Sequence, residues 1–372
     1  MKALILTFHY VTNYGAVLQA LALKRYLTQI GVTANILDYQ PRQFGIGDYS
    51  FKIKQGTIFS KIKDFIYGNI KALLSIKRKK NFRLFIEKYL DCTKEKYHSI
   101  AELNKCKPFA DIFITGSDQV WNDEILGQLD EGYFLSFVKN GAAKISYGAS
   151  IGKDIITAEY ATKLRKYLDS FDYISVREET AKSALENAGL SSVTHVLDPV
   201  FLLEAEAYED LMIKPAINDY VFIYCFDNDE RCYSLAKLLA EKHKLKTISF
   251  SGWTNKFDTH YFINTASPAE FLGYLKNASY VVTNSFHGTA FSIIFEKEFY
   301  TIPPKSRASR IESLLNTANL TSRMIYNNTD LEAIKTIDYQ ITKQHLSEII
   351  EISKAYLKNA FAAVNRRKMG YE

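Results

Sequence analysis

A chain of 372 residues exceeds what one hydrophobic core usually serves, so two domains are expected, and its 47% apolar and 24% charged make-up is that of a soluble globular protein. The net charge of +6 comes with no recognised nucleic-acid-binding module, which sets nucleic acid aside as a partner. Cys92, Cys106, Cys225 and Cys232 show neither CxxC nor metal-ligand spacing, so reduced thiols in a cytoplasmic protein are expected, with no disulfide framework and no metal site.

In chain order, Lys2 to Phe8 reads as a buried strand; polar His9 and Asn13 follow at once, which leaves no signal-peptide core, and no run of about 18 apolar residues suggests a membrane span. The Thr12 to Gly15 loop leads to a helix from about Ala16 to Ile30, stopped by Gly31, and Ala34 to Tyr39 is a second strand. Between Phe51 and Arg83, ten bases (Lys52, Lys54, Lys61, Lys63, Lys71, Lys77, Arg78, Lys79, Lys80 and Arg83) face the single acid Asp64, a local charge of +9. Apolar residues from Ile58 to Ile76 are interleaved there at near-helical spacing. Two readings stand: a peripheral contact of 51–83 with an anionic membrane surface, or a solvated basic helix packed on the domain by its apolar face.

Strands follow at Ala110 to Thr115 and Lys144 to Ser150, a helix at Ala158 to Leu168, a strand at Tyr173 to Val176, a helix at Glu178 to Ala188 and a strand at Val193 to Leu197. A second alternation begins after Pro199, with strands at Tyr220 to Phe226, Lys246 to Ser251, Tyr280 to Thr283 and Phe299 to Ile302. Its helices are expected at Glu230 to His243, Pro268 to Asn277, Ala290 to Phe295 and Arg310 to Asn316. The fold class is therefore α/β, two Rossmann-like domains facing across a cleft: 1–199, then 200–338, with one or two helices in 339–372 able to pack back on the first domain.

In open parallel sheets ligands bind beyond the carboxyl ends of the strands, and the polar motifs gather there. The Tyr280 strand breaks into Asn284-Ser285-Phe286-His287-Gly288-Thr289, a polar loop that puts a titratable imidazole at a helix N-terminus suited to phosphate or carboxylate. Ser285, Gly288 and Thr289 crowd polar and close-approach residues around His287; a histidine satisfied by a local turn is the alternative. Arg177 offers a planar fork to an anion, or else pairs with Glu178 or Glu179. Lys305, Arg307 and Arg310 form a basic loop near the His287 loop. Ser117, Asp118, Gln119, Trp121 and Asn122 combine carboxylate, amides and indole as sugar recognition requires, though Asp118 as a helix cap and Trp121 in the core fit equally well. Asn13 and Tyr14 are further contacts at the first strand's end, Gly15 serves close helix packing, and Asp198-Pro199 reads as a stiff crossing whose carboxylate can alternatively orient a cleft residue.

Seven motifs in order carry a family resemblance: TNYGAVLQ from Thr12, TGSDQVWN from Thr115, SYGAS from Ser146, ISVREE from Ile174, LDPVF from Leu197, the SFHGT loop from Ser285, and SRIESLL from Ser309. By these the chain resembles the polysaccharide pyruvyl transferases, whose fold is similar to the two-domain glycosyltransferase (GT-B) arrangement. The resemblance implies transfer of a pyruvyl group from phosphoenolpyruvate, a co-substrate with no further cofactor, to two hydroxyls of a sugar in a cell-surface polysaccharide or its lipid-linked precursor, closing a cyclic ketal. His287 and Asp118 would then be catalytic; Arg177, Ser285, Gly288, Thr289, Lys305, Arg307 and Arg310 would bind the donor. Asn13, Tyr14, Ser117, Gln119, Trp121 and Asn122 would bind the glycan or lipid-linked oligosaccharide acceptor, at the inner membrane face if 51–83 makes contact. A sugar-nucleotide glycosyltransferase of like architecture and a non-catalytic glycan-binding protein are the rivals; a redox enzyme is disfavoured, because Gly15 stands outside any GxGxxG fingerprint.

Overall fold

A computed structural model describes residues 1–41, 58–139, 141–250, 255–304, 308–326 and 331–370, with backbone alone for 58–73 and 331. In the first half β1 (Lys2–Leu6), β2 (Thr33–Tyr39), β3 (Cys92–Tyr97), β4 (Ile112–Thr115) and β5 (Ala143–Ser146) form a parallel sheet in the order β3-β2-β1-β4-β5. The pair β6 (Ile174–Val176) and β7 (Val193–His195) continues it through parallel bridges from Ile145 to Tyr173 and from Ala149 to Val176. Helices α1 (Tyr14–Gln29), α2 (Ile58–Tyr89), α3 (Ile100–Cys106), α4 (Asp123–Leu126), α5 (Ala158–Leu168) and α6 (Glu179–Asn187) connect these strands.

The second half repeats the plan. Strands β8 (Tyr220–Tyr224), β9 (Lys246–Ser249), β10 (Tyr261–Phe262), β11 (Tyr280–Thr283) and β12 (Glu298–Thr301) run parallel in the order β10-β9-β8-β11-β12. Helices α7 (Glu230–His243), α8 (Pro268–Lys276), α9 (Phe286–Ile294) and α10 (Ser309–Thr317) accompany them, and α11 (Tyr339–Lys368) closes the chain as one continuous helix. A sheet covered on both faces needs strands that are apolar throughout, and Val221, Phe222, Ile223, Val281 and Val282 are all buried.

One hydrophobic core threads both halves. Val17 and Leu21 of α1, Val200 and Phe201 of the crossing, Phe271 and Phe291 of the second half, and Leu357 and Phe361 of α11 belong to the same buried cluster. Helix α11 returns to the first half: Tyr356 donates to the Ser146 carbonyl at 2.8 Å, Leu197 N donates to Ser353 Oγ at 2.9 Å, and Arg367 pairs with Asp172 at 2.8 Å. Among the described residues, no helix is long and apolar enough to cross a membrane.

Several elements depart from the sequence expectation: α3, α4 and β10 are short additions to it, and two further departures have a clear physical cause. Helix α9 begins at Phe286 instead of Ala290, because Ser285 caps it, its Oγ accepting from Gly288 N at 3.4 Å; the polar stretch taken for a loop is a helix start. Strand β3 (CTKEKY) was not anticipated: an edge strand half-exposed and rich in charge carries little apolar period to read. Of the basic stretch 51–83, residues 51–57 lie outside the described residues, as do Lys305 and Arg307.

Candidate active site

Two helix N-termini, one from each half, meet at the carboxyl ends of their sheets. Strand β11 delivers the chain to α9, and His287 is its second residue, in the first turn where backbone N–H groups precede the helical ladder. Gly288 backs onto Thr283: a Cβ there would stand 2.3 Å from Thr283 Oγ1. From the other half, Asn13 caps α1, its Oδ1 accepting from Ala16 N at 3.2 Å. Gly15, in that first turn, faces the imidazole so closely that a Cβ would lie 2.0 Å from His287 Nδ1. Glycine is thus required where the histidine of one half seats against the helix of the other.

Beneath the imidazole lies Asp198, fully buried at the crossing between halves. Its Oδ1 accepts from Val200 N at 3.1 Å, while Oδ2 accepts from Arg177 Nη1 and stands 3.4 Å from both His287 Nε2 and Ser117 Oγ. Burial would raise the carboxyl pKa, yet the facing His287 and the Arg177 guanidinium hold it well below the usual carboxylate range. For Arg177 burial works against the charge, and Asp198, Glu178 and Asp118 together outweigh it and raise its pKa.

This corrects the expectation of a freely presented Arg177: its main partner is Asp198, and of its two sequence neighbours Glu178 comes within ion-pair distance while Glu179 does not pair with it. The buried guanidinium is committed through one arm to Asp198 and lies 4.7 Å over the Phe286 ring; its Nε is 3.9 Å from Glu178 Oε1. Nε and Nη2 make no hydrogen bond. Glu179 pairs instead with His195, at 3.1 Å.

Above this network opens a cavity of about 300 Å³. The first half contributes Asn13, Asp118 and Gln119 to its wall, and the second contributes Ser285, Phe286, His287 and Arg310. The Asp118 carboxylate is held by its own loop, Oδ1 accepting from Gln119 N at 2.8 Å. Arg310 approaches the Phe286 ring at 5.9 Å. Phe226 and Asp227, after β8, complete the rim, and Asn284 pins them: its Oδ1 accepts from Phe226 N at 2.7 Å and its Nδ2 donates to Phe226 O at 3.1 Å.

Sequence reasoning passed over Asn284 and Asp227, and gave Asp198 chiefly a structural part. Asp227-Asn228 follows a strand of the second sheet, so the carboxyl-end rule could have marked the pair.

Other expected site residues are placed elsewhere. Trp121 is core, stacked on Phe134 with ring centres 5.7 Å apart and its indole donating to Tyr133 O, so no ring face is presented to a sugar. Tyr14 is equally buried, stacked on Phe271 at 4.6 Å with its hydroxyl donating to Ala266 O; it joins the halves instead of lining the cavity. Asn122 caps α4 and donates to Gln119 Oε1 at 3.1 Å. Ser117 donates to Gly148 O at 2.8 Å within the Asp198 network. Thr289 turns into the sheet, donating to Ser285 O at 3.1 Å, and Gly288 lies behind the cavity wall. In each case a polar atom is already bonded inside the protein, which removes it from the ligand face.

Among solved structures, UDP-N-acetylglucosamine 2-epimerase from Rickettsia bellii is similar at 11% identity, covering 100% of both chains with a TM-score of 0.49. The S. aureus MnaA–UDP structure matches at 9% identity over 95% of this chain and 90% of that one, TM-score 0.49. E. coli heptosyltransferase WaaC with ADP matches at 12% identity over 94% and 100%, TM-score 0.42. The likeness is one of broad outline, and the fold rests on the two parallel sheets described above. No curated relative matches the sequence. The polysaccharide pyruvyl transferase family model matches residues 13–306, which reach from the cap of α1 through β2 to β7, the whole second sheet and the His287 turn, and the protein belongs to that family.

Proposed function

We propose that the protein transfers the pyruvyl group of phosphoenolpyruvate to two hydroxyls of one sugar in a cell-surface polysaccharide or its lipid-linked precursor, forming a cyclic ketal. The observation carrying this reading is the imidazole of His287 at the wall of a small cavity, seated on Gly15 and backed by Asp198, with Asp118 and Arg310 on the same wall.

The reaction balances from donor and acceptor alone. A proton adds to the methylene carbon of phosphoenolpyruvate, and the electron-poor C2 is attacked by the first hydroxyl, which releases its own proton. The C2–O bond to phosphate then breaks; the second hydroxyl closes the ring, and its proton leaves with the phosphate. His287 moves the proton at the methylene carbon, and Asp198, 3.4 Å behind Nε2, holds the ring in place. The α9 N-terminus and Arg310 receive the anionic groups of the donor, with Arg177 contributing positive charge from beneath Phe286. Asp118, contributed to the cavity lining by the first half, accepts the proton of the acceptor hydroxyl, which makes the first half the acceptor side and the second half the donor side.

The exposed face of α2, with Ile76, Lys77, Lys80, Leu84 and Lys88, is the contact through which the enzyme would meet an anionic inner membrane face.

The test is phosphate release from phosphoenolpyruvate in the presence of a lipid-linked glycan extract, with mass measurement of the product. His287→Ala and Arg177→Ala should each abolish release while the chain stays folded. Turnover near that of the wild type in either variant would remove the role assigned to that residue.

A further inference from the structure

A second, larger cavity of about 550 Å³ lies beneath the C-terminal part of α2, beyond the carboxyl ends of β1 and β2. The acceptor contacts expected from sequence are mostly buried, so the position of a glycan on the first half must be sought elsewhere. This cavity is in the right place: Thr12 lines it and Asn13 lines the catalytic cavity, so the two adjoin across a ridge of neighbouring residues whose Cα atoms stand about 3.8 Å apart. Arg78 fixes that ridge, Nη2 donating to Thr12 O at 3.2 Å and the guanidinium lying 5.3 Å from the Tyr14 ring.

The lining has the chemistry of sugar recognition. Tyr10, Phe82 and Ile86 supply apolar faces; Asp38 and Gln40 supply hydrogen-bonding groups at the end of β2. Asp38 is held rigidly, Oδ1 accepting from Gln40 Nε2 at 2.6 Å and standing 3.0 Å from His9 Nε2, whose Nδ1 is 3.0 Å from Thr7 O. The charges cancel: Lys79, Arg83 and Lys96 match Asp38, Glu87 and Asp91. Arg83 pairs with Glu87 at 3.6 Å, Asp91 with Lys24, and Lys96 lies 3.9 Å from Asp38.

We propose that this cavity binds the sugar unit next to the one that receives the pyruvyl group, so that the acceptor is an oligosaccharide chain and not a single sugar. The assignment of that neighbouring unit rests on the transfer reaction proposed above. The test applies the full chain to an array of defined mono-, di- and tetrasaccharides of hexoses and N-acetylhexosamines, beside calorimetry with phosphoenolpyruvate. Two variants are compared, Glu87→Trp to obstruct the cavity from an exposed helix position and Gln40→Ala to remove a hydrogen-bonding group. Wild type should bind glycans of two or more units roughly tenfold more tightly than their monosaccharides, and each variant should lose roughly tenfold, with phosphoenolpyruvate affinity unchanged. Full glycan affinity in both variants, equal affinity for single sugars, or no array glycan bound by the wild type would overturn the proposal. Variant-sensitive glycan binding without any phosphoenolpyruvate binding would count against the transfer reaction and leave the subsite standing.

Discussion

Gly15 and His287, separated by most of the chain, occupy what is effectively one residue's space: a Cβ on the glycine would stand 2.0 Å from Nδ1 of the imidazole. The ring's position is therefore set by the helix of the opposite half, which makes the histidine a property of the assembled pair of sheets. Replacing Gly15 by Ala should push the ring aside by about 1 Å or more and lower kcat/KM for phosphoenolpyruvate about a hundredfold. Steady-state phosphate release checks this, and a value close to wild type would mean the imidazole needs no such seat.

Asp198 is the main partner of a buried guanidinium, so Asp198→Asn leaves Arg177 charged in the interior with only the more distant Glu178, at 3.9 Å, to pair with. The expected cost is about 3 kcal/mol, read by urea unfolding near neutral pH. The folded-state pKa of Asp198 is depressed, so its stabilisation is present above the unfolded value of about 3.9 and is lost as pH falls through the lower folded value. The gap between wild type and variant should accordingly hold from neutrality down to about pH 4 and narrow in stronger acid. A gap that instead closes on going from pH 4 to 7 would contradict the assignment.

Trp121 packs on Phe134 in the core, so Trp121→Ala should destabilise by about 3–5 kcal/mol through the cavity it leaves. Glycan binding by the molecules that remain folded should not change. Thermal unfolding and array binding on the same preparation separate the two effects, and selective loss of binding at unaltered stability would restore the indole as a sugar contact.

Ile76 and Leu84 on α2 are 63% and 48% exposed, interleaved with exposed Lys77, Lys80 and Lys88. Reversing these three lysines to Glu should weaken co-sedimentation with phosphatidylserine vesicles by about 1 kcal/mol per site, and raised salt should do the same to the wild type. Equal sedimentation of variant and wild type would leave the helix a solvated basic face.

Much of the architecture was legible because strands and helices announce themselves locally. Apolar runs such as YVFIY and YVVT, closed by polar or glycine breakers, needed no knowledge of their partners to be read as buried parallel strands. The same local logic placed Asp118 and His287 at strand ends, and the structure puts both on one cavity wall. Strand β3 escaped because an exposed edge carries no such pattern, and the start of α9 was misread because a capping serine and a first-turn histidine look like loop.

By itself, the order of residues determined the alternation of strand and helix, the parallel sheets and the strand ends at which reactive groups gather, since each depends on chain period and breakers within a few positions. Only the tertiary structure decided that Arg177 bonds Asp198 in preference to its neighbours, that Trp121 and Tyr14 turn inward, and that Gly15 yields its space to His287. Those outcomes depend on which segment arrives opposite, and burial, pairing and close approach are set by that distant partner and not by the adjoining residues.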